Sequence, residues 1–470
     1  MVDPNLLQGA MRLQSAGRYE EAISLYHRVL SDDPKNLSAL VYGGIAFAEI
    51  GKLSDATKQL KFAVKLQPNH AEAHGYLANV LQMAGDLQTA DTHYRMAVFL
   101  DPKDPLIQSN FGLFLSKKDR RDEAITCFRQ AISMAPDYAP AYSHLCNCLR
   151  QSGNVNEAVK IGRRALELDP HSSEACNNLA AALIELDCIE EAIQCYQQAI
   201  TLQPNFIDAL NNLSIAQIIA GRAVDALVSI DKCLQVEPGN IQALATKSVA
   251  LNEVGDKEGL SALVDYDLLT RERFIDTPLG YANIEAFNET LSQHLREHPS
   301  LRYAPSGNAT REGMHSGDLL ATPNKPFQDL KSVLQQTVTD YINTCPKNAV
   351  HPFMASQPEV YELDIWGLVL TEKGHQVPHI HSTGWLSGCY YPKVPPDIHQ
   401  SDTERKGWFV FGEPQQIYRA NANAQIMPIC PEEGKLILFP SFFFHHTNPV
   451  SVANERISIA FDVRPVDKIG

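Results

Sequence analysis

Four histidines in the C-terminal part of the sequence have the spacing of a metal site. His379 and His381 stand two residues apart in HQVPHIHSTGWLSGCYYP, and LFPSFFFHHTNPVS adds His445 and His446 about sixty residues later. Side chains two residues apart on a strand point to the same face. Two such strands side by side let three imidazoles converge, and neutral imidazole is a common ligand of transition metals. We therefore predict a metal site formed by His379, His381 and His445.

Short runs of β-branched and aromatic residues surround these histidines. After residue 357 the sequence contains EVYELDIWGLVL, GWLSGCYYPKV, GWFVFGE, GKLILFPSFFF and ERISIAFDVRP, separated by turn-forming residues. This texture is typical of an antiparallel sandwich or jelly roll. The preceding NKPFQDLKSVLQQTVTDYINTC has apolar residues at helical spacing and predicts an amphipathic helix. Segment 300–318, rich in Gly, Pro, Ser and Asn, predicts a loop.

The first half of the chain repeats with a period of 34 residues. Three registers keep this step: a proline, a glycine or aspartate, and an alanine. The prolines are Pro34, Pro68, Pro102, Pro136, Pro170, Pro204 and Pro238. The turn residues are Gly17, Gly51, Gly85, Asp119, Gly153, Asp187, Gly221 and Gly255, and the alanines are Ala22, Ala56, Ala90, Ala124, Ala158, Ala192 and Ala226. We expect helix pairs in which the turn residue ends the first helix, the alanine allows close packing, and the proline stops the second helix.

This pattern resembles the tetratricopeptide repeat family, over about residues 3–240 as seven repeats with a degenerate eighth pair to about 265. The expected fold is multidomain: an all-α superhelical tetratricopeptide array followed by a double-stranded β-helix (jelly-roll) domain with flanking helices. We expect the array at 1–265, a helical connector at 266–300 and the jelly-roll domain at 301–470.

The sixth position of each repeat carries a further signal. It holds Asn110, Asn178 and Asn212, whereas Tyr42, Tyr76 and His144 occupy it in other repeats. In the family that it resembles, this position faces the groove, where an asparagine amide can donate to and accept from a peptide backbone. The partial ladder is similar to the arrays of protein O-GlcNAc transferases and implies a groove that holds an extended peptide. The alternative is that these asparagines are ordinary solvated side chains.

The C-terminal motifs, taken together, resemble the iron(II)/2-oxoglutarate dioxygenase superfamily. That superfamily has an H-x-[D/E] pair, a distal histidine about sixty residues later and an arginine about ten residues after it. PHIHSTGWLSGCYYP and FPSFFFHHTNPV…ERISIAF resemble its bacterial and phage 2OG-Fe(II) oxygenase branch, and the tyrosine pair and the arginine are similar to the prolyl-hydroxylase branch. The resemblance covers about residues 300–470.

The resemblance implies a role for each matching residue and implies Fe(II) and 2-oxoglutarate as cofactors. His379 would be the first iron ligand and His445 the distal one. Arg456 would bind the distal carboxylate of 2-oxoglutarate through its planar guanidinium, with help from Ser458. Tyr391 would reach the same cosubstrate. The reaction would convert 2-oxoglutarate and O₂ to succinate and CO₂ and oxidise an unactivated C–H bond.

One position departs from the family pattern, because His381 stands where the carboxylate ligand belongs. His381 could be a third neutral ligand, it could lie next to a two-histidine site, or the site could be inactive; the first is favoured over the second. His446 could replace His445, although the spacing to the following Pro-Val pair favours His445. His375 is expected to be a loop or pocket residue. The histidines could also be ordinary polar residues of a β domain.

The leading hypothesis is a dioxygenase that hydroxylates a protein or peptide held by the repeat groove. A second hypothesis is an adaptor whose repeats bind a partner and whose jelly roll is inactive. A third is a three-histidine dioxygenase that does not use 2-oxoglutarate.

Composition narrows the partners. The formal charge of −15 argues against nucleic-acid binding, and the sequence has no apolar run long enough to span a membrane. The N-terminus does not resemble a secretory signal, and ten scattered cysteines without a CxxC pair favour reduced thiols, so we expect a cytoplasmic protein. Nothing in the pattern indicates an oligomeric state.

Overall fold

The structure is a computed structural model that describes residues 4–305, 307–346, 351–450 and 454–466. The chain forms two compact units, residues 1–202 and 203–470.

The first unit consists of six helix pairs, each made of a shorter first helix and a second helix of 14 residues. Consecutive helices pack against each other throughout. The helices are α1 Pro4–Ser15, α2 Tyr19–Asp32, α3 Leu37–Glu49, α4 Leu53–Leu66, α5 Ala71–Met83, α6 Leu87–Leu100, α7 Pro105–Lys117, α8 Arg121–Met134, α9 Ala139–Gln151, α10 Val155–Leu168, α11 Ser173–Glu185 and α12 Ile189–Leu202.

The periodic residues do what their types predict. All eight turn positions have positive φ, including Asp119 at 60° and Asp187 at 61°, so aspartate here adopts the left-handed conformation that glycine adopts elsewhere. All seven periodic alanines are 0% exposed, since each lies where two helices approach closely. The 34-residue pattern therefore arises from local turn chemistry and tight helix packing.

The second unit begins with two further helix pairs, the second of which has a short second helix of 7 residues. Other helices border the sheet, and the predicted amphipathic helix is confirmed as α19, whose apolar face is buried. The helices are α13 Ile207–Ile219, α14 Ala223–Val236, α15 Ile241–Val254, α16 Lys257–Leu263, α17 Tyr266–Leu269, α18 Ile284–Arg296, α19 Lys325–Thr344 and α20 Pro352–Ala355.

The strands form a curled antiparallel sheet in the order β1-β8-β5-β10-β4-β9-β6-β7, with β3 also pairing with β4 and β2 with β3. They are β1 Arg271–Phe274, β2 Arg302–Tyr303, β3 Thr310–His315, β4 Tyr361–His379, β5 Leu386–Lys393, β6 Phe409–Phe411, β7 Met427–Ile429, β8 Lys435–Pro440, β9 His445–Thr447 and β10 Arg456–Pro465. The predicted fold class, a tetratricopeptide array followed by a jelly-roll domain, is confirmed.

Strand β4 belongs to both halves of the jelly roll. Its first part pairs with β10 and its last residues pair with β9. Between them the chain turns at Lys373, whose φ is 66°, and at Gly374, where a Cβ would lie 2.9 Å from the carbonyl oxygens of Glu312 and Thr371. This turn directs the end of β4 toward β9 and so brings the two histidine segments together.

Two local expectations differ from the structure. Segment 300–318 is not simply a loop, because it contains β2 and β3, and β3 pairs with the outer edge of β4. Residues 266–300 contain helices, as expected for a connector, but also β1, which pairs with β8. In both places pairing with a distant strand outweighs the local turn-forming composition.

Helix α15 contacts the loop that joins β6 and β7. Tyr418 of this loop is fully buried, and its hydroxyl lies 2.8 Å from Gln242 Nε2 and 2.9 Å from Thr246 Oγ1. The carboxylate of Glu253 accepts hydrogen bonds from two backbone N–H groups of the same loop. The eighth helix pair is thus joined to the sheet by specific polar contacts.

None of the helices in the described residues combines the length and the apolar character that crossing a membrane requires. All ten cysteines are unpaired, as the sequence predicts.

Candidate metal centre

The three histidines predicted as ligands lie together. His379 ends β4 and pairs in register with His445, the first residue of β9, while His381 follows in the turn after β4. Their potential ligand atoms all lie within 4.8 Å of one another, with 3.3 Å between Nε2 of His379 and Nε2 of His381. Among the described residues, this is the one group of three or more His, Cys, Asp or Glu side chains whose ligand atoms lie close enough together to hold a metal ion.

Each imidazole uses its other ring nitrogen for a hydrogen bond to the protein. Nδ1 of His379 lies 2.8 Å from the carbonyl oxygen of Val377, and Nδ1 of His445 lies 2.9 Å from that of Phe443. Nδ1 of His381 lies 2.6 Å from Oδ1 of Asp462. An acceptor at Nδ1 fixes the proton there and leaves the Nε2 lone pair free, which is the arrangement that metal-bound histidines have.

Burial keeps the rings of His379 and His445 neutral. Desolvation, and to a smaller extent the nearby His381, lowers the pKa of His379 to about 3. His379 nevertheless lines one side of a cleft. Desolvation, followed by the neighbouring His379 and His381, also places the pKa of His445 well below its ordinary value. These two rings are therefore neutral at pH 7 and need not lose a proton to bind a metal.

Aromatic side chains enclose the cluster. Phe409 stacks on His445 with ring centroids 5.3 Å apart, and Phe439 lies edge-on to the same ring at 4.8 Å. Trp366 lies 5.4 Å from the His381 ring. These contacts hold the rings in place and limit solvent access on the inner side.

The other two histidines have different surroundings. His446 points away from the cluster, with Nε2 3.1 Å from Asn448 Oδ1 and 3.5 Å from a carboxylate oxygen of Glu413. His375 bonds through Nδ1 to the carbonyl oxygen of Lys373 at 2.8 Å. This arrangement favours His445 over His446 as the third member of the cluster.

Arg456 forms a second, buried polar site. Its side chain is 1% exposed, and within the described part of the chain Nε and Nη2 have no hydrogen-bond partner. Nη1 donates a long hydrogen bond to Ser458 Oγ, at 3.5 Å. The guanidinium carbon lies 4.9 Å from the ring centre of Tyr391, whose hydroxyl is also buried without a partner among the described residues. A buried cation with unused donors beside an unused hydroxyl matches a carboxylate.

The histidine cluster and the Arg456 site share one face of the sheet. Strand alternation places Arg456, Ser458 and Asp462 on the same side of β10. Ser387 and Tyr391 likewise share a side of the neighbouring β5, and Ser387 donates to Asp462 at 2.6 Å. The interior face therefore offers a metal-type cluster at one end and a carboxylate-type site at the other, so these residues fit a metal that is chelated by a dicarboxylate.

A cleft of about 530 Å³ opens beside the histidines. Its lining is mostly polar and includes Asn308, Arg311, His315, Gln376 and Gln415, with apolar contributions from Trp366 and from the segment that carries His379. Arg311 is partly used, because Nη1 donates to the carbonyl oxygens of Asn308 and Thr310. The cleft could admit an extended chain or a single side chain to the cluster.

The three asparagines predicted for the peptide groove differ from one another. Asn178 is buried and donates to the carbonyl and hydroxyl oxygens of Ser143 at 3.3 and 3.0 Å, so its amide already binds within the array. Asn110 and Asn212 are half-buried. His144, at the same repeat position, pairs with Glu174 at 3.1 Å.

Sequence reasoning missed the polar residues behind His381. Asp462, Ser387 and Ser441 form a chain of hydrogen bonds, with 2.7 Å between the two serine hydroxyls. The sequence contained a signal for Asp462, because it lies two, four and six residues from the interior-facing residues of β10. These even spacings place Asp462 on the same face of the strand. An acidic residue that shares this face with Arg456 and Ser458 could have been recognised from that alternation.

Family models match both parts of the chain. Residues 364–462 match "Putative 2OG-Fe(II) oxygenase". Tetratricopeptide repeat models match residues 7–57 and 173–206, and residues 74–185 match the cilia and flagella-associated protein 70 middle TPR-like domain. The chain thus combines tetratricopeptide repeats with a C-terminal domain of the 2OG-Fe(II) oxygenase type.

Individual similar proteins match a part of the chain. TPR repeat-containing thioredoxin TTL4 of Arabidopsis thaliana is 36% identical over 69 residues, which is 15% of this chain and 10% of that protein, so the chain spans about a tenth of its length. The Pseudomonas aeruginosa pilF structure covers 44% of this chain and 94% of its own, at 20% identity and a TM-score of 0.40. The APC/C hetero-tetramer Cut9-Hcn1 covers 52% and 48%, at 16% identity and a TM-score of 0.48.

Proposed function

We propose that this protein is an Fe(II)- and 2-oxoglutarate-dependent dioxygenase that hydroxylates a protein or peptide. The observation that carries the proposal is the pair of sites on one interior face: three imidazoles whose potential ligand atoms lie within 4.8 Å of one another, and a buried Arg456 with unused donors. The match of residues 364–462 to an oxygenase family supports the same chemistry.

His379, His381 and His445 would hold the iron, which with 2-oxoglutarate and O₂ supplies the oxidant for a C–H bond. Three protein ligands leave coordination positions open for a chelating cosubstrate and for O₂. Arg456 would bind the far carboxylate of 2-oxoglutarate by charge and paired hydrogen bonds, and Tyr391 would donate its hydroxyl to the same group. Burial of Arg456 strengthens this interaction, because little water competes for the carboxylate.

The repeats support a protein substrate. Tetratricopeptide arrays bind protein partners through an extended surface, and a small-molecule substrate would leave seven repeats without a part in the reaction. Asn110 and Asn212 are candidates for contacts with the backbone of such a partner. The polar cleft beside the histidines suits a side chain that enters from a bound segment.

The test is formation of the ternary complex in the absence of oxygen. Fe(II) and 2-oxoglutarate are added to the full-length protein, and the weak visible charge-transfer absorption of chelated 2-oxoglutarate is recorded. We expect the band in the wild type, its loss in His379→Ala and its weakening in Arg456→Ala. His446→Ala is the matched control, because this neighbouring histidine points away from the cluster.

The outcomes separate the functions under consideration. Iron bound at one equivalent without the band, together with O₂ uptake that is independent of 2-oxoglutarate, would favour a three-histidine dioxygenase of another type. Absence of bound iron would refute the proposal and leave an adaptor. If the band forms, release of succinate in the presence of peptides captured by the repeats identifies the substrate.

A further inference from the structure

The metal cluster differs from a two-histidine, one-carboxylate site in its charge. Three neutral imidazoles leave a divalent iron with its full charge of +2, whereas a carboxylate ligand would lower the total to +1. In the described residues a carboxylate does lie close by, but one hydrogen bond further out. Oδ1 of Asp462 is 2.6 Å from Nδ1 of His381, on the opposite side of the ring from the cluster.

The contact is part of a built arrangement. Asp462 is 6% exposed, and in the described part of the chain its one close contact with a basic side chain is the one with His381. Ser387 Oγ lies 2.6 Å from the same Oδ1 and 3.0 Å from His381 Nδ1. Ser441, in the turn after β8, lies 2.7 Å from Ser387, so the carboxylate and the imidazole are supported from β5 and from this turn.

The backbone around His381 is fitted to this contact. The N–H of His381 donates to the carbonyl oxygen of Ser441 at 3.1 Å. The N–H of Gly384 donates to the carbonyl oxygen of His381 at 3.3 Å. A Cβ on Gly384 would lie 2.7 Å from Ser441 Oγ and 3.1 Å from the Cβ of Asp462. Only a residue without a side chain lets the turn come this close to Asp462.

We propose that Asp462, held by Ser387, is the positioning residue that replaces the missing carboxylate of the metal site. It accepts the Nδ1 proton of His381, which orients the ring and makes Nε2 a stronger donor to the metal. It also places a negative charge next to the site without occupying a coordination position. The inference rests on the metal site of the proposed function and explains how an H-x-H sequence can hold iron.

The same contact favours one of the two expectations for His381. A histidine that only borders the site would have no reason to turn its Nε2 toward the Nε2 of His379 while a buried carboxylate holds its Nδ1. The geometry points to His381 as a ligand supported from behind.

The experiment is a double-mutant cycle on the affinity of the full-length protein for Fe(II), measured without oxygen against a competing chelator. We expect Asp462→Asn to weaken binding by about 10- to 100-fold, the usual effect of removing such a partner. His381→Asp moves the carboxylate into the coordination sphere and puts it beside Asp462. In that background, we expect Asp462→Asn to change affinity less than about threefold or to improve it, because a like charge is removed.

A second readout distinguishes positioning from a structural role. The visible spectrum of the Co(II)-loaded protein should shift in Asp462→Asn, because the donor strength of one ligand changes. Asp364→Asn is the matched control: Asp364 pairs with Asp462 in register, but its side chain is bound to Arg464 outside the site, and we expect neither affinity nor spectrum to change. Ser387→Ala keeps the carboxylate and should cause a smaller loss than Asp462→Asn.

The results that overturn the inference are specific. Wild-type affinity in Asp462→Asn, or an equal loss from this change in both backgrounds, would show that Asp462 does not act through His381. The proposed function would survive either result, since the wild type would still bind Fe(II). Failure of the wild type itself to bind Fe(II) or Co(II) would instead refute both.

Discussion

Replacing Arg456 by methionine should stabilise the protein in the absence of the proposed cosubstrate, 2-oxoglutarate, and abolish its binding. The guanidinium is 1% exposed, and Nε and Nη2 have no partner in the described residues. An unsatisfied buried donor costs about 1–3 kcal/mol, and more when it is charged. The Tyr391 ring at 4.9 Å offsets about 1–2 kcal/mol of this cost. Methionine retains most of the apolar stem, so we expect a net gain of about 1–3 kcal/mol.

The assay is urea unfolding followed by tryptophan fluorescence. The three tryptophans of the chain, Trp366, Trp385 and Trp408, all lie in the second unit, so the signal reports on the sheet that contains Arg456. Without cosubstrate, Arg456→Met should unfold at higher urea than the wild type. With Fe(II) and 2-oxoglutarate at about 100 times the dissociation constant and without oxygen, the wild type should gain about 2.7 kcal/mol and the variant nothing. The difference in urea midpoint between Arg456→Met and the wild type would then become smaller or change sign.

The reasoning is refuted if Arg456→Met lowers the free energy of unfolding by more than about 1 kcal/mol without cosubstrate. That result would show that the guanidinium is satisfied and serves the fold. Stabilisation of the variant by 2-oxoglutarate would separately show that the carboxylate binds elsewhere.

Three further perturbations test other parts of the structure. Tyr418→Phe removes the hydroxyl that contacts two side chains of α15, and the loss of this buried bond should lower the free energy of unfolding by about 1–2 kcal/mol in the same fluorescence assay. In the first unit, Gly153→Ala should lower the free energy of unfolding by about 1–2 kcal/mol because φ is 79°. Gly75 lies inside a helix, and an added Cβ would have its nearest neighbouring atom at 3.7 Å, so Gly75→Ala should raise the free energy of unfolding by about 0.5–1 kcal/mol. Unfolding followed by far-UV circular dichroism measures both changes, and changes of the same sign would contradict the argument. In the metal-free protein, the pKa of His379 is about 3 in the folded state and about 6.5 in the unfolded state, so between these pH values only the unfolded state binds a proton at this residue. The free energy of unfolding should therefore fall by at most about 1.4 kcal/mol between pH 7.5 and 5.5 because of His379. His379→Asn should remove this contribution to the pH dependence.

The repeats could be predicted almost completely from the sequence. Each 34-residue unit contains its own turn residue, its own packing alanine and its own helix stop, so its structure depends on neighbours close in the chain. Even Asp119 and Asp187, which break the glycine pattern, adopt the same left-handed conformation, because aspartate tolerates it better than most residues. Strand β1 was less accessible, since it lies in a segment with helical texture and is a strand because β8 pairs with it.

The candidate site was predictable in its residues but not in its connections. His379, His381 and His445 could be proposed as a cluster from strand spacing alone, and the structure brings them within 4.8 Å. Arg456 and Tyr391 could be assigned only by resemblance to a family. That the two lie against each other depends on the pairing of β5 with β10.

The sequence by itself determined the helix repeat, the jelly-roll texture and the residue types available for chemistry, because these depend on short-range spacing. Only the tertiary structure decided what surrounds His381. Asp462 lies 81 residues further along the chain and reaches His381 because β10 lies beside β5 in one register. A shift of one residue in that register would turn Asp462 to the opposite face, so the carboxylate missing from the local motif is supplied by strand pairing.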